Sequence, residues 1–185
     1  YADFENFGRL EVADVFMDRY YFKHLRLIDR TMNQEVIHQI VNIMIDMENI
    51  TTLIRATKQK QSRSFLIGVL SSEGTVDKTL LIDEVLEKGT EALIDLYRHV
   101  PYYDKFVAIL EQEEHPVFAL ELLKEELIHQ ILEEATFEPF GPLPSLAYIH
   151  ALEMEVKNLR LLLVGVDNEF TEEQLRERMR PVYVS

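Results

Sequence analysis

One amphipathic helix is written twice in this chain. Residues 148–165 read YIHALEMEVKNLRLLLVG, and residues 39–56 read QIVNIMIDMENITTLIRA. At a constant offset of 109 (155 less 46), Asp46 meets Glu155, Asn49 meets Asn158, Leu53 meets Leu162 and Ala56 meets Gly165. The apolar positions coincide too: Ile40 with Ile149, Ile43 with Leu152, Met47 with Val156, Ile50 with Leu159 and Ile54 with Leu163. A helical unit restated at a fixed period marks a repeat architecture. A looser echo, Tyr1–Asp3 against Tyr102–Asp104 and Leu10-Glu11 against Leu110-Glu111, extends the duplication over most of a unit. The expectation is an all-α chain of two related helical-bundle units, residues 1–88 and 89–185.

Each copy carries two stripes at helical spacing. In the second, Ile149, Leu152, Val156, Leu159 and Leu163 form an apolar face by i, i+3, i+4 steps. A second stripe holds Ala151, Glu155, Asn158, Leu162 and Gly165. Two such stripes predict a helix packed on both sides, with the small residues allowing close approach. Buried there, Glu155 and Asn158 need partners, because an isolated buried carboxylate is very costly. Asp46, Asn49, Glu155, Asn158 and Gly165 are therefore expected to fix how helices cross; a catalytic role for the acids is the other possibility.

Around these copies the chain reads as further helices. Leu10, Ala13, Phe16, Met17 and Tyr20 give an aromatic-rich helical stripe near the start, expected to be core. Asn33 is a candidate N-cap for the first copy, Pro116 a candidate first residue of a helix running to Ala135, and Thr171 with Gln174 a capping box. Leu120, Leu123, Leu127, Ile131 and Ala135 are expected to face the core of that helix. One basic run, Arg55 to Arg63, stands in an acidic protein. Its cations suit a helix C-terminus, or they meet an acidic partner: Arg55, Lys58, Lys60 and Arg63 are candidate contacts, together with Arg176, Arg178 and Arg180 near the end.

The formal net charge of −14 sets most of this surface against phosphate backbones and anionic lipid. Nucleic acid is thus not an expected partner. No apolar run reaches the ~20 residues a membrane helix needs, so direct membrane insertion is not expected either. Without cysteine there is no thiolate nucleophile, zinc–thiolate site or disulfide. No P-loop, G-x-G-x-x-G or G-x-S-x-G is present, so neither a cofactor nor a catalytic residue is predicted. The one motif with metal-like spacing is E-x-x-H, found as Glu35/His38 and Glu126/His129. Di-iron bundles use that pair, but they project it inward. Here His38 and Asn42 lie off the face set by Val36, Ile40, Met44 and Met47, and Glu126, His129 and Glu133 lie roughly opposite Leu123, Leu127 and Ile131. A di-iron enzyme is the least favoured reading.

The run Glu153-x-Glu155-Val156-Lys157-Asn158-Leu159-Arg160 resembles the signature helix of the C subunit (the d subunit in eukaryotes) of the V-type and A-type rotary ATPases. Matches also include Phe137 to Pro144, Tyr148, Asp46 with Asn49, Arg55 and the ending Arg176 to Val184. The resemblance covers essentially the whole chain. It implies a funnel of three similar helical units, of which this chain carries the last two as a C-terminal portion. It also implies a non-catalytic rotor part, cytoplasmic and peripheral to the membrane, whose partners are the membrane rotor ring and the central-stalk subunits. In that setting it transmits torque for ATP-driven H⁺ or Na⁺ transport, or for ATP synthesis. A helical adaptor outside any rotary machine is the alternative.

Overall fold

The computed structural model describes residues 10–113, 115–135 and 141–181. Every regular element among them is a helix: α1 Leu10–Met32, α2 Glu35–Lys58, α3 Arg63–Val69, α4 Lys78–Lys88, α5 Ala92–Leu96, α6 Tyr103–Gln112, α7 Pro116–Ala135, α8 Leu143–Asp167 and α9 Glu172–Arg176. The protein is all-α, as the repeat predicts. Contacts gather it into two compact units, Tyr1–Leu120 and Glu121–Ser185.

Local signals account for the breaks. Asn33 is not the N-cap of α2. It takes a left-handed φ of 49° and donates its N–H to Asp29 O at 2.9 Å, closing α1 instead. Asparagine tolerates that conformation because its short polar side chain adds little steric cost. Ser62 caps α3 by accepting from the Phe65 N–H, and Asp77 caps α4 by accepting from the Thr79 and Leu80 N–H groups. Gly89, at φ 82°, ends α4 in a region that L side chains rarely enter. Pro116 opens α7, and Thr171 with Gln174 forms the reciprocal capping box of α9.

In the first unit α2 is the axis. Its Ile37, Val41, Ile45, Met47, Ile50, Leu53 and Ile54 are buried, and so are Leu66 of α3, Leu81, Ile82 and Val85 of α4, and Phe106 of α6. Tyr97 lies edge-on to Phe106 with ring centroids 5.8 Å apart. α1 departs from expectation. Of the expected stripe, Met17 and Tyr20 are exposed at 67% and 61%, and the side chains of Leu10, Ala13 and Phe16 fall outside the described residues; among its described side chains, those that are buried are Arg26 and Asp29. Spacing alone placed the aromatics inward, but a polar network claims the inner face.

In the second unit the described parts are most of α7, α8 and α9. α8 buries Leu143, Ala147, Met154, Asn158 and Gly165. A Cβ built on Gly165 would lie 2.3 Å from Leu175 Cδ2, so this glycine allows α9 to seat closely. The predicted apolar face is not core: Ile149, Leu152, Val156, Leu159 and Leu163 are all exposed. Too few of the described helices pack here to cover α8 on two sides, whereas α2 is wrapped. α7 buries Leu120 and Leu123 as expected, but beyond them its buried face shifts: Glu125, Ile128, His129 and Leu132 are buried, while Leu127 and Ile131 are only half-buried. The side chain of Ala135, residues 136–140 and residues 182–185 fall outside the described residues, and with them parts of the sequence matches named above.

Candidate functional site

The duplicated asparagine is a clamp, and it occurs twice with one geometry. Asn49 donates from Nδ2 to the Ser71 carbonyl at 3.0 Å and accepts the Ser71 N–H at 2.8 Å on Oδ1. Asn158 donates to the Arg180 carbonyl at 3.0 Å and accepts the Arg180 N–H at 2.8 Å. In each copy the clamped residue is 22 positions beyond the asparagine. The clamped residues therefore keep the 109-residue offset (180 less 71). A primary amide is the one neutral side chain with a donor and an acceptor placed to satisfy both backbone groups of one residue. Asn49 and Asn158 are 2% and 4% exposed, so those bonds are made out of water.

The neighbouring acids diverge. Asp46 is buried and accepts from both the N–H and the hydroxyl of Thr75. Gly74 leaves it room: a Cβ there would stand 2.7 Å from Asp46 Oδ1. His99 Nε2 reaches Thr75 Oγ1 at 3.2 Å. Burial pushes the Asp46 carboxyl above its ordinary range, and the Thr75 hydrogen bonds only partly oppose this. Burial and the Asp46 charge also push the Tyr97 and Tyr102 phenols upward. Glu155, the counterpart of Asp46, is exposed. The expected buried Glu155/Asn158 pair is therefore not formed; one turn of α8 directs the amide inward and the carboxylate outward.

Asp46→Asn follows from this geometry. A carboxyl whose pKa is raised on folding costs stability as pH climbs through the interval between its unfolded and folded values. Asparagine cannot ionise and still offers an acceptor to the Thr75 N–H. The variant is expected to melt a few degrees above wild type at pH 7, with the gap closing toward pH ~3.5, below the ordinary Asp value. Thermal melts across that range check it; a variant less stable than wild type at pH 7 contradicts the account.

Two further polar groups reinforce the clamps, and neither stood out in the sequence. In the first unit, buried Arg26 donates to Asp29 at 2.8 Å, Asn42 at 2.7 Å and the Glu73 carbonyl at 2.6 Å. His38 Nδ1 lies 2.9 Å from the same Asp29 oxygen. Burial opposes ionisation of Asp29, but hydrogen bonds from His38 and Arg26 outweigh it and hold the carboxyl below its usual range. Segment 71–75 is thus tied down by Asn49, Asp46 and Arg26 together. In the second unit, Glu125 accepts from Lys157 at 2.6 Å and from Arg180 at 2.8 Å. His129 and His150 are neighbours, ring centroids 6.3 Å apart. Burial first, then His129, pushes the His150 imidazole below its ordinary pKa. Only the i, i+3 spacing of Arg26 and Asp29 hinted at the first network. For the second there was none: Glu125 stands beside Glu126 with nothing in the sequence to tell the two apart.

The candidate contact residues are scattered. Arg55, Lys58 and Lys60 are exposed at the end of α2, with Lys60 at φ 55°. Arg63 is held by Asp83 through two hydrogen bonds, 2.7 and 3.2 Å. Arg176 pairs with Glu172 on the surface, Arg178 lies 4.9 Å over the Phe170 ring, and Arg180 serves the clamp. The two E-x-x-H motifs fall in different units, and the described residues gather no set of three His, Asp or Glu side chains suited to a metal. No helix of the described residues is long and apolar enough to cross a membrane. What this arrangement can do chemically is hold backbone in place.

The sequence as a whole matches the family described as ATP synthase (C/AC39) subunit over residues 1–178. The chain belongs to that family. It is 34% identical over 175 residues to the C subunit of the V-type sodium ATPase of Enterococcus hirae, covering 94% of this chain and 53% of the relative. The C subunit of the A-type ATP synthase of Methanosarcina acetivorans is 24% identical over 154 residues, 81% of this chain and 41% of the relative. A third C/AC39 relative, from the A-type ATP synthase of Methanocaldococcus jannaschii, is 22% identical over 169 residues, 88% of this chain and 42% of the relative. This chain spans about half the length of these C/AC39 relatives. No solved structure matches.

Proposed function

We propose that this chain is a non-catalytic portion of the C subunit in a V/A-type ATPase, coupling the membrane rotor ring to the central stalk in the cytoplasm, peripheral to the membrane. The observation that carries the reading is the family match across nearly the full chain, from residue 1 to residue 178. The paired clamps support it. A part that passes torque must resist shear between its helices and the segments that follow them, and each Asn fixes such a segment by both backbone groups of one residue. The repeat boundary at 88/89 belongs to the same reading, and so does a helix-fixing role for Asp46, Asn49, Asn158 and Gly165. Exposed Lys58 and Lys60, together with Arg55, form the cationic end of α2 that this reading assigns to a partner contact.

The test is binding of the 185-residue chain to detergent-solubilised rotor ring and, separately, to isolated central-stalk subunits at moderate salt. Binding to one of them is expected, weakened several-fold by Lys58→Glu with Lys60→Glu, as for rim charges that steer association. A chain that melts cooperatively yet binds neither overturns the assignment.

A further inference from the structure

One stripe of α8 serves both α7 and the segment after α9. His150, Met154, Lys157 and Asn158 follow i, i+4, i+7 and i+8 steps and so share a face. Asn158 clamps Arg180 from that face. Glu125 of α7 joins the three elements, with Lys157 donating to its Oε1 and Arg180 to its Oε2. At the other end of the stripe, the His150 ring stands 6.3 Å from that of His129. His129 lies one turn beyond Glu125 on α7, and both are buried.

The charges at this junction balance. α7 brings Glu125 and His129, α8 brings Glu153 and Lys157, and the segment after α9 brings Arg180. Two carboxylates thus face an ammonium and a guanidinium, and a proton on an imidazole tips the sum positive. His150 is badly placed to carry one. Its Nε2 is buried and meets no hydrogen-bond partner among the described residues. A neutral imidazole can leave that nitrogen as a bare lone pair, whereas an imidazolium makes both ring nitrogens donors. A buried donor left unmet is costly, the more so beside a second imidazole and the Lys157 ammonium. The depressed His150 pKa has the same origin, burial first and His129 second.

We propose that this junction is an acid-sensitive catch: a proton on the His150 ring loosens the Glu125 hub and frees the segment around Arg180 from α8. The sign follows from the geometry. A released His150 takes its proton near the ordinary value of about 6.5, while the docked ring resists it. The released state then binds more protons, so docking is at full strength above that pH and weakens as pH falls below it. The catch does not depend on the rotor reading.

Amide hydrogen exchange at Arg180, whose N–H is donated to Asn158, measures the catch in the 185-residue chain. The protection factor, corrected for the intrinsic pH dependence of exchange, should fall in wild type between about pH 7.5 and about pH 5.5. The fall is bounded at about tenfold, the most that one histidine contributes one unit below its ordinary value. His150→Gln should make protection equal at the two pH values. His115→Gln, at an exposed position of the first unit, should retain the wild-type fall. A fall that persists in His150→Gln overturns the proposal, and so does constant protection in wild type. Where glutamine prevents folding, NMR titration of the wild-type His150 ring decides. A midpoint below about 6.5 that moves together with the Arg180 amide signal supports the catch, and one at or above that value sinks it.

Discussion

Arg26→Met is expected to destabilise the first unit by about 3–5 kcal/mol, the range seen when one member of a buried charge pair is removed. Asp29 is 2% exposed and would keep only His38 as a partner. Asn42 Oδ1 and the Glu73 carbonyl would each lose their donor as well. For a chain of this size the melting transition of that unit should fall by roughly 10 °C. The pH dependence has a definite sign. In wild type the Asp29 carboxyl sits below its ordinary value, so its contribution is present above about pH 4 and disappears as pH falls through the folded value. The deficit of the variant is therefore largest near neutrality and narrows in acid. Urea unfolding at neutral and acid pH measures this, and Arg26→Met with Asp29→Leu should recover part of the loss. A single variant within ~0.5 kcal/mol of wild type at neutral pH, the size of an ordinary surface effect, would mean that Arg26 is ornamental.

The second large effect concerns the clamps. Asn49→Ala strands the buried N–H and C=O of Ser71. Each orphaned group costs ~1–3 kcal/mol, so a loss of about 2–6 kcal/mol is expected. Asn158→Ala should cost less, because Arg180 is also held by Glu125 and is only half-buried. Asn158→Leu separates the amide from simple filling of space: if leucine matches or exceeds wild-type stability and partner binding survives, the clamp is not what holds the tail. Asn→Asp at either position keeps the acceptor but replaces the donor, and it should fail on the carbonyl side. Denaturant unfolding of each variant, monitored separately for the two units, reads these differences.

What could be foreseen from sequence was what local chemistry decides. The repeated helix, Pro116 at the head of α7 and the Thr171/Gln174 capping box depend on neighbours within one or two turns, and each formed as expected. Asn49 and Asn158 stood out because they repeat, although their backbone partners 22 residues on carry no sequence signature of their own. What failed depended on tertiary packing. The stripe from Ile149 to Leu163 repeats the spacing of a stripe that α2 buries at Ile43, Met47, Ile50 and Ile54, and spacing cannot say how many helices surround each copy. Their helical spacing points Met17 and Tyr20 to the core, where aromatic and other large apolar residues usually go, yet the inner face of α1 is held by Arg26 and Asp29. His129 and Glu125 lie inside because the buried face of α7 shifts after Leu123 to one shared with Ile128 and Leu132.

The 22-residue span of each clamp also bears on how the chain acquires its structure. Loop-closure cost rises only slowly with length, about 0.6 kcal/mol per doubling, and a span this short is closed from within a single unit. Neither asparagine waits for a distant part of the polypeptide before it engages its backbone target. Each half thus carries the means to begin ordering alone, in keeping with the rapid folding of chains dominated by nearby contacts. A ribosome releasing this protein would present the Asn49 closure well before Asn158 had been synthesised.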